Sequence, residues 1–464
     1  MKRILFILLL TTCGVLPSIA QILKSLNNRN MKKLQFIILL VIAFACSTPV
    51  KKETNTKQLA DSIAKNEYFP LVKSKALEIM KSGFNAGSGY REVWIRDYNT
   101  FIELASRVFP KEELKENLLV FFRMQGEDGN IIDGFTPIEK VGKVAYDFSY
   151  SKLEPRYAAH KNSVETDQES SLIQAVYKYI KLTGDSSILN ENVGDKTVAE
   201  RMEWAMDFLM QKRFNQQYGL IIGATTADWG DVQPEHGWGV DLDANTHPAI
   251  DIYDNAMFVI ALNDLDELLP ATKTKWEPIR ESIAQNCRKY LWDNEKKKFI
   301  PHVYLEKGSP FPADFNEKEI YYFGGTAIAI EAGLLSKEEI KASLDEMVRR
   351  VKLAGAGSIG LTLYPPYPKG FFENKIMNPE YNYQNGGDWT WFGGRMIQEL
   401  IKNGFVQEAY EQVQPMVKRV KDNNGFYEWY SVDNKPRGSG TFRGEAGVLF
   451  TAIRMFDEFA EKQK

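Results

Sequence analysis

The chain has 464 residues, 44% hydrophobic and 12% aromatic, enough to bury a large core as one big domain of a single architecture or as two ordinary ones. A formal charge of -3, with no Lys/Arg-rich run in the globular part, argues against nucleic acid as a partner. Three cysteines, of which only Cys287 lies in the body of the chain, exclude a disulfide framework, and with four scattered histidines they argue against a Cys/His zinc site.

Residues 1–46 form an expected export leader that holds the same signal twice. "MKRILFILLLTTCGVLPSIAQ" and "MKKLQFIILLVIAFACSTP" each open with Met and two basic residues. Each then runs apolar for the length of an export segment, short of the ~20 residues that span a bilayer. The second ends in Ala43-Phe44-Ala45-Cys46, which is similar to a bacterial lipoprotein cleavage box, although Ala43 stands where Leu is commoner. The expectation is a start at Met31 and a lipid on Cys46, the membrane being met only through that lipid, in the bacterial envelope on its periplasmic side or at the cell surface. A polar, flexible tether is expected over 47–57.

From about residue 58 the apolar residues recur mostly at helical spacing. Helices are expected near 59–81, 98–108, 112–125, 165–183, 197–213, 252–269, 273–293, 317–333, 336–352, 386–402, 406–421 and 444–461. Ser336 with Glu339 forms a capping box before the ninth of these. Long loops rich in Gly and aromatics separate pairs of helices at 83–97, 126–163, 218–250, 354–388 and 422–443, and loops of that length inside a compact domain are usually functional. The pattern predicts an all-α domain over 58–464, an (α/α)6 toroid of six helical hairpins whose loops gather at one end. An open stack of helical pairs fits the same count, and periodicity does not separate the two.

Four segments concentrate Trp with polar and charged residues: "REVWIRDYNTF" (91–101), "TTADWGDVQP" (225–234), "YQNGGDWTWFGG" (383–394) and "GFYEWYS" (425–431). They hold Trp94, Trp229, Trp389, Trp391 and Trp429, five of the nine tryptophans, where core packing alone would favour helix interiors. Flat apolar faces among many hydrogen-bonding groups suit a sugar ring.

Each polar residue there has a structural alternative. Arg96 and Asp97 form a fork for vicinal hydroxyls, or Asp97 caps the following helix. Asp228 and Asp231 flank Trp229, where shielding from water would raise a carboxyl pKa to that of a proton donor, or both serve an Asp-rich turn. Glu428, between Tyr427 and Trp429, points into a cleft or to solvent. Gln384, Asn385 and Asp388 precede a helix as site residues, or Asp388 caps it. Asp167 lines the site, or with Glu165 it is an ordinary acidic helix start. "DLDANTH" (241–247) lacks the rest of a calcium loop, and His236 and His247 fit loop or substrate contacts better than ligation, so neither metal nor cofactor is expected.

The order "WIRD", "DWGD", "YQNGGDW", "YEWY" and "FRGEAGVLFTAI", over roughly residues 85–460, resembles the six-hairpin glycosidases: amylo-glucosidase domains of glycogen-debranching enzymes, processing α-glucosidases and alkaline/neutral invertases. The resemblance implies an (α/α)6 barrel and inversion of configuration by two carboxyls. Carried over by motif, Asp231 matches the general acid, Glu428 the general base, and Arg96 with Asp97 the residues that hold the terminal sugar. Trp94, Asp167, Asp228, Trp229, Gln384, Asn385, Asp388, Trp389 and Trp429 are the expected lining. Gln384, Asp388 and Phe426-Tyr427 depart from the invertase pattern, which puts sucrose in doubt, and the residues by themselves leave Asp228 and Asp231 both open as the acid. The expectation is a monomeric, exo-acting, inverting hydrolase of a terminal α-linked gluco- or manno-configured sugar. A phosphorylase on the same scaffold and a sugar-binding lipoprotein for uptake are the alternatives.

Overall fold

The computed structural model describes residues 48–142 and 147–464, with side chains from Thr56 onward. The leader, with Met31 and Cys46, lies outside the described residues. Among the described residues no helix is long and apolar enough to cross a membrane. The chain divides into two compact units, residues 65–459 and the remainder.

The smaller unit carries α1 (Thr48–Ala64). This helix runs through the segment expected as a flexible tether, because residues 50–64 contain neither Gly nor Pro and Pro49 is tolerated in a first turn. The single helix expected over 59–81 is broken at Asn66, whose side-chain oxygen accepts from the N–H groups of Tyr68 and Phe69 and starts α2 (Tyr68–Met80).

In the larger unit, α2 is followed by α3 (Ile95–Ala105), α4 (Lys111–Arg123), α5 (Gln168–Thr183), α6 (Val198–Lys212), α7 (Ile252–Leu268), α8 (Lys273–Asn286), α9 (Phe323–Glu331), α10 (Lys337–Ala354), α11 (Thr390–Lys402), α12 (Val406–Asp422) and α13 (Arg443–Glu461). The odd-numbered helices from α3 are inner and the even-numbered ones outer. α7 is buried on every side from Ile252 to Leu262, and α9 from Phe323 to Ile330, as a helix inside a ring must be. α12 buries one side only, Val406, Ala409, Val413, Met416, Val417 and Val420 together with Arg419. Inner helices pack in succession, α3 on α5, α5 on α7, α7 on α9 and α9 on α11. Two glycines close the circle: a Cβ on Gly394 of α11 would strike Val448 of α13, and one on Gly447 of α13 would strike the Phe101 backbone of α3. This is the (α/α)6 toroid.

Every inner helix follows a loop, so the loops before α3, α5, α7, α9, α11 and α13 meet at one end. They are braced by short antiparallel strands that periodicity does not reveal. β1 (Val93–Trp94), β2 (Gly134–Pro137), β3 (Ser149–Ser151) and β4 (Glu154–His160) form one sheet in the order β1-β2-β4-β3. Two helices start later than expected. Before α9, Tyr321–Tyr322 pairs with Leu363–Tyr364 instead. Before α11, Gly386 adopts a φ of 87° and Asp388 bridges to Leu361 and Tyr430.

Candidate active site

β1 runs directly into α3, which sets Arg96 and Asp97 in the first turn of an inner helix. Pairing of Trp94 with Gly134, and the bond from the Ile95 N–H to the Asp133 carbonyl at 2.9 Å, bring Asp133 beside Arg96. β4 pairs with β2, Gly134 opposite His160, and the chain beyond it delivers Glu165 and Asp167 to the start of α5. Arg96 Nη1 donates to Glu165 and lies 3.4 Å from Asp133 and 3.7 Å from Asp167. The Tyr253 hydroxyl of α7 donates to Asp167 Oδ2 at 2.6 Å.

Three buried carboxyls thus gather around the Arg96 guanidinium, with Asp97 next to it in the chain, and burial in low dielectric disfavours the charged forms of Asp97, Glu165 and Asp167. It pushes the Asp97 pKa up to about 8, against Arg96 and with the charges of Asp133 and Glu428. Burial also raises the pKa of Glu165 and of Asp167, again against Arg96. Trp94 takes the N-cap position of α3, and Asp97, in the first turn, has an Oδ1 without a hydrogen-bond partner.

The segment 225–231 places its two aspartates in different roles. Asp228, at φ 57°, accepts from the N–H groups of Gly324 and Gly325 at 2.6 and 2.7 Å, so its carboxyl caps α9 and does not line the site as expected. Asp231 is held through its main chain. Its carbonyl accepts from Asn162 at 3.0 Å and its N–H donates to Gln384 at 3.4 Å, while its Oδ1 makes no hydrogen bond. Burial raises the Asp231 pKa against the Arg96 charge and a hydrogen bond to Gln384.

Glu428 is buried, which rules out the solvent-facing alternative. Its N–H donates to the Ser439 carbonyl at 2.9 Å, and its Oε2 accepts from the Ser439 N–H at 3.1 Å. Gly438, at φ 68°, leaves room for the carboxylate that any Cβ would strike. Burial raises the Glu428 pKa, hydrogen bonds from Tyr90 and Ser439 lower it, and the Asp231 charge raises it further. The Tyr90 ring packs on Trp94 with centroids 4.7 Å apart. The Tyr383 hydroxyl has its pKa raised by burial and then by Asp231, Tyr90 and Glu428, so both carboxyls lie close to one phenol.

The geometry therefore brings together Trp94, Arg96, Asp97, Asp167, Asp231, Gln384 and Glu428, with Trp429 adjoining through its edge contact to Tyr383 at 6.3 Å. Three further expected lining residues are structural. Trp229 and Trp389 are buried in a stack with Trp391 and Phe392, the Trp229 and Phe392 rings lying parallel at 4.3 Å. Asn385 holds the Tyr367 N–H and carbonyl and the Met377 carbonyl. A fourth, Asp388, spends both oxygens on Arg419 and Ser358. In "DLDANTH", Asp243 accepts from the Asn245 and Thr246 N–H groups in a local turn. No group of three or more His, Cys, Asp or Glu among the described residues is placed to hold a metal ion.

The model of the glycosyl hydrolase 94 superfamily catalytic domain matches residues 66–425. The chain belongs to this superfamily. Its fold recurs in solved structures at low identity. The GH63 mannosylglycerate hydrolase from Thermus thermophilus in complex with Tris and D-glycerate is 15% identical, with a TM-score of 0.57 over 82% of this chain and 99% of that one. In complex with glucose the values are 14%, 0.58, 82% and 99%. A rhamnosidase from Klebsiella oxytoca with rhamnose bound is 11% identical, with a TM-score of 0.52 over 84% of this chain and 64% of that one. At these identities the likeness establishes the fold alone. No protein of curated function matches by sequence.

The superfamily match ends three residues before Glu428, so that carboxyl rests on its geometry and on the "YEWY" motif. Tyr90, Asp133, Glu165 and Tyr383 are site residues that the sequence motifs do not single out. Tyr383 opens the quoted "YQNGGDW", and Glu165 was assigned to an ordinary helix start. Asp133 has no local signal, since only the β1–β2 pairing brings it to Arg96.

Proposed function

We propose that the protein is an inverting, exo-acting glycoside hydrolase of a terminal α-linked gluco- or manno-configured sugar, with Asp231 as general acid and Glu428 as general base. The observation that carries this reading is the closeness of Asp231 and Glu428, which come from the loops before α7 and α13: the charge of Asp231 raises the pKa of Glu428, and both act on Tyr90 and Tyr383. Asp231 has a raised pKa and an oxygen free of hydrogen bonds, which suits a group that keeps a proton for the leaving oxygen. Glu428 receives two hydrogen bonds that favour its anion, which suits a group that takes a proton from water.

In the step, the Asp231 proton passes to the glycosidic oxygen as the bond from that oxygen to the anomeric carbon breaks. Water attacks the same carbon from the opposite face and gives its proton to Glu428. Such pairs stand ~6.5 to 9.5 Å apart to admit the water. Asp97, protonated below about pH 8, offers a sugar hydroxyl a donor as well as an acceptor. Arg96 acts by holding the carboxyls in place, since its Nη1 is already engaged.

Among the described residues, two cations border this cluster. Arg96 is tied to carboxyls, and Arg443, which feels the charge of Asp97, is tied to Asn85 and Ser82. The relatives solved with glucose and rhamnose bound are consistent with a site for one hexose. The leader motifs extend the reading to synthesis from Met31 and anchorage through a lipid on Cys46, with 58–464 as the catalytic domain. The intact mass of detergent-extracted protein tests that part.

The test of function is incubation of the protein from Ser47 onward with α-glucosides, α-mannosides and sucrose, with and without phosphate. Free sugar without phosphate is expected, reduced by about 10²–10⁴ in Asp231→Asn and in Glu428→Gln. Turnover only with phosphate would make the protein a phosphorylase, and sugar binding without turnover would make it a binding protein.

A further inference from the structure

Behind the segment that carries Asp231 lies a buried polar network that the reaction does not touch. Its hub is Glu317, on the turn Glu317–Glu319 before α9. The Tyr304 hydroxyl donates to both Glu317 oxygens at 2.9 Å, and the Tyr367 hydroxyl donates to Oε1 at 2.7 Å. His302 Nδ1 lies 2.9 Å from Oε1, and His302 Nε2 accepts from the Thr226 N–H at 3.4 Å. That acceptance leaves the imidazole proton on Nδ1, pointing at Glu317. On the other side, the Tyr367 and Tyr322 hydroxyls are 2.6 Å apart and the Tyr322 oxygen lies 3.0 Å from the Thr226 carbonyl, so the two hydroxyl protons are shared among Glu317, the contact between the tyrosines and that carbonyl.

Both polar groups of the Thr226 main chain are therefore held by side chains that converge on one carboxylate. Thr226 in turn fixes the next residues, because its hydroxyl donates to the Asp228 carbonyl at 2.9 Å. Asp228 is pinned to α9 through Gly324 and Gly325. Ala227 and Val232 pack in one apolar cluster with Tyr322, Tyr367 and Phe311. Asp231, in contrast, has few bonds of its own, so its aim is inherited from this preceding stretch.

We infer that Glu317 is a positioning residue for the proton donor: it gathers His302, Tyr304, Tyr367 and, through Tyr367, Tyr322, and so fixes the Thr226 main chain from which Asp231 is aimed. The inference rests on Asp231 being the general acid. Its signature is dependence on the leaving group. A fluoride ion departs without being protonated, whereas an alkoxide does not, so a misplaced acid slows an ordinary glycoside and spares a glycosyl fluoride.

The experiment compares wild type, Glu317→Gln and Tyr322→Phe on a disaccharide and on the matching α-glucosyl or α-mannosyl fluoride. In Glu317→Gln, kcat on the disaccharide should fall roughly 10- to 100-fold with KM little changed, while kcat on the fluoride stays within about 3-fold of wild type. Equal losses on the two substrates, or no loss on either, would overturn the positioning role. If Glu317→Gln does not fold, Tyr322→Phe, which deletes one hydroxyl, decides by the same comparison. Wild type that turns over neither substrate would overturn the hydrolase reading itself, and this inference with it.

Discussion

Asp231 and Glu428 arrive from the loops before α7 and α13, yet beyond the effect of burial the charge of Asp231 raises the pKa of Glu428. Such coupling between residues so far apart in sequence requires the chain to close on itself, which the Gly394 and Gly447 contacts achieve. The consequences for stability, pH dependence and turnover are open to measurement.

The two aspartates beside Trp229 should separate stability from activity. Asp228→Asn replaces one of two oxygens that receive helix N–H groups and should destabilise the protein by about 1 to 3 kcal/mol. Asp231→Asn breaks no bond to its Oδ1 and should leave stability near wild type while abolishing most turnover. Urea unfolding alongside initial rates measures both. The reverse pattern would make Asp228 the acid.

Tyr90 should set the acidic limb of the pH profile. Burial raises the Glu428 pKa and the Tyr90 hydrogen bond lowers it, so Tyr90→Phe should raise it further. A base works only when ionised, and the acidic limb of kcat/KM should therefore move to higher pH in the variant. A limb that stays in place, or moves to lower pH, would detach Tyr90 from Glu428.

Asp97 should make the fold less stable as pH rises. Its pKa is about 8 when folded and about 3.9 when unfolded, so between those values the folded state binds more proton and loses stability with increasing pH. Asp97→Asn removes that contribution. Melting curves at pH 5 and pH 8 should lie closer together in the variant than in wild type, with the gain at pH 8. A wider gap would mean that Asp97 is ionised in the native state.

Asp388 should act on stability through Arg419. The pair is buried, with Arg419 Nη2 2.6 Å from Asp388 Oδ2. Removal of one partner strands the other charge, so Asp388→Asn should cost about 3 to 5 kcal/mol in chemical denaturation. A near-neutral change would return Asp388 to the lining of the site.

Much of this was legible in the sequence because helices announce themselves at their own period, and α3 through α13 fall on the expected spans, most within a few residues at each end, although α8 ends at Asn286 where 293 is expected and α9 starts at Phe323 where 317 is expected. Arg96, Asp97 and Glu428 stood out as charged residues set among aromatics on loops. What stayed hidden was decided by tertiary contact. The two-residue strand β1 has no periodicity, yet its pairing brings Asp133 to Arg96. Asp228 and Asp231 are alike in local context, and only the N-terminus of α9 tells them apart. Asn385 and Asp388 looked like sugar contacts because a long loop that must be rigid needs the same polar residues for its own backbone. Trp229 and Trp389 have the composition of sugar platforms in the sequence, and they form instead the packed floor beneath the loops.

The central claim, inversion by Asp231 and Glu428, is tested most directly by the configuration of the first product. Hydrolysis of an α-glucoside or α-mannoside by wild type, followed by proton NMR before mutarotation, should show the β-anomer first, with no sugar phosphate. First release of the α-anomer would contradict the account.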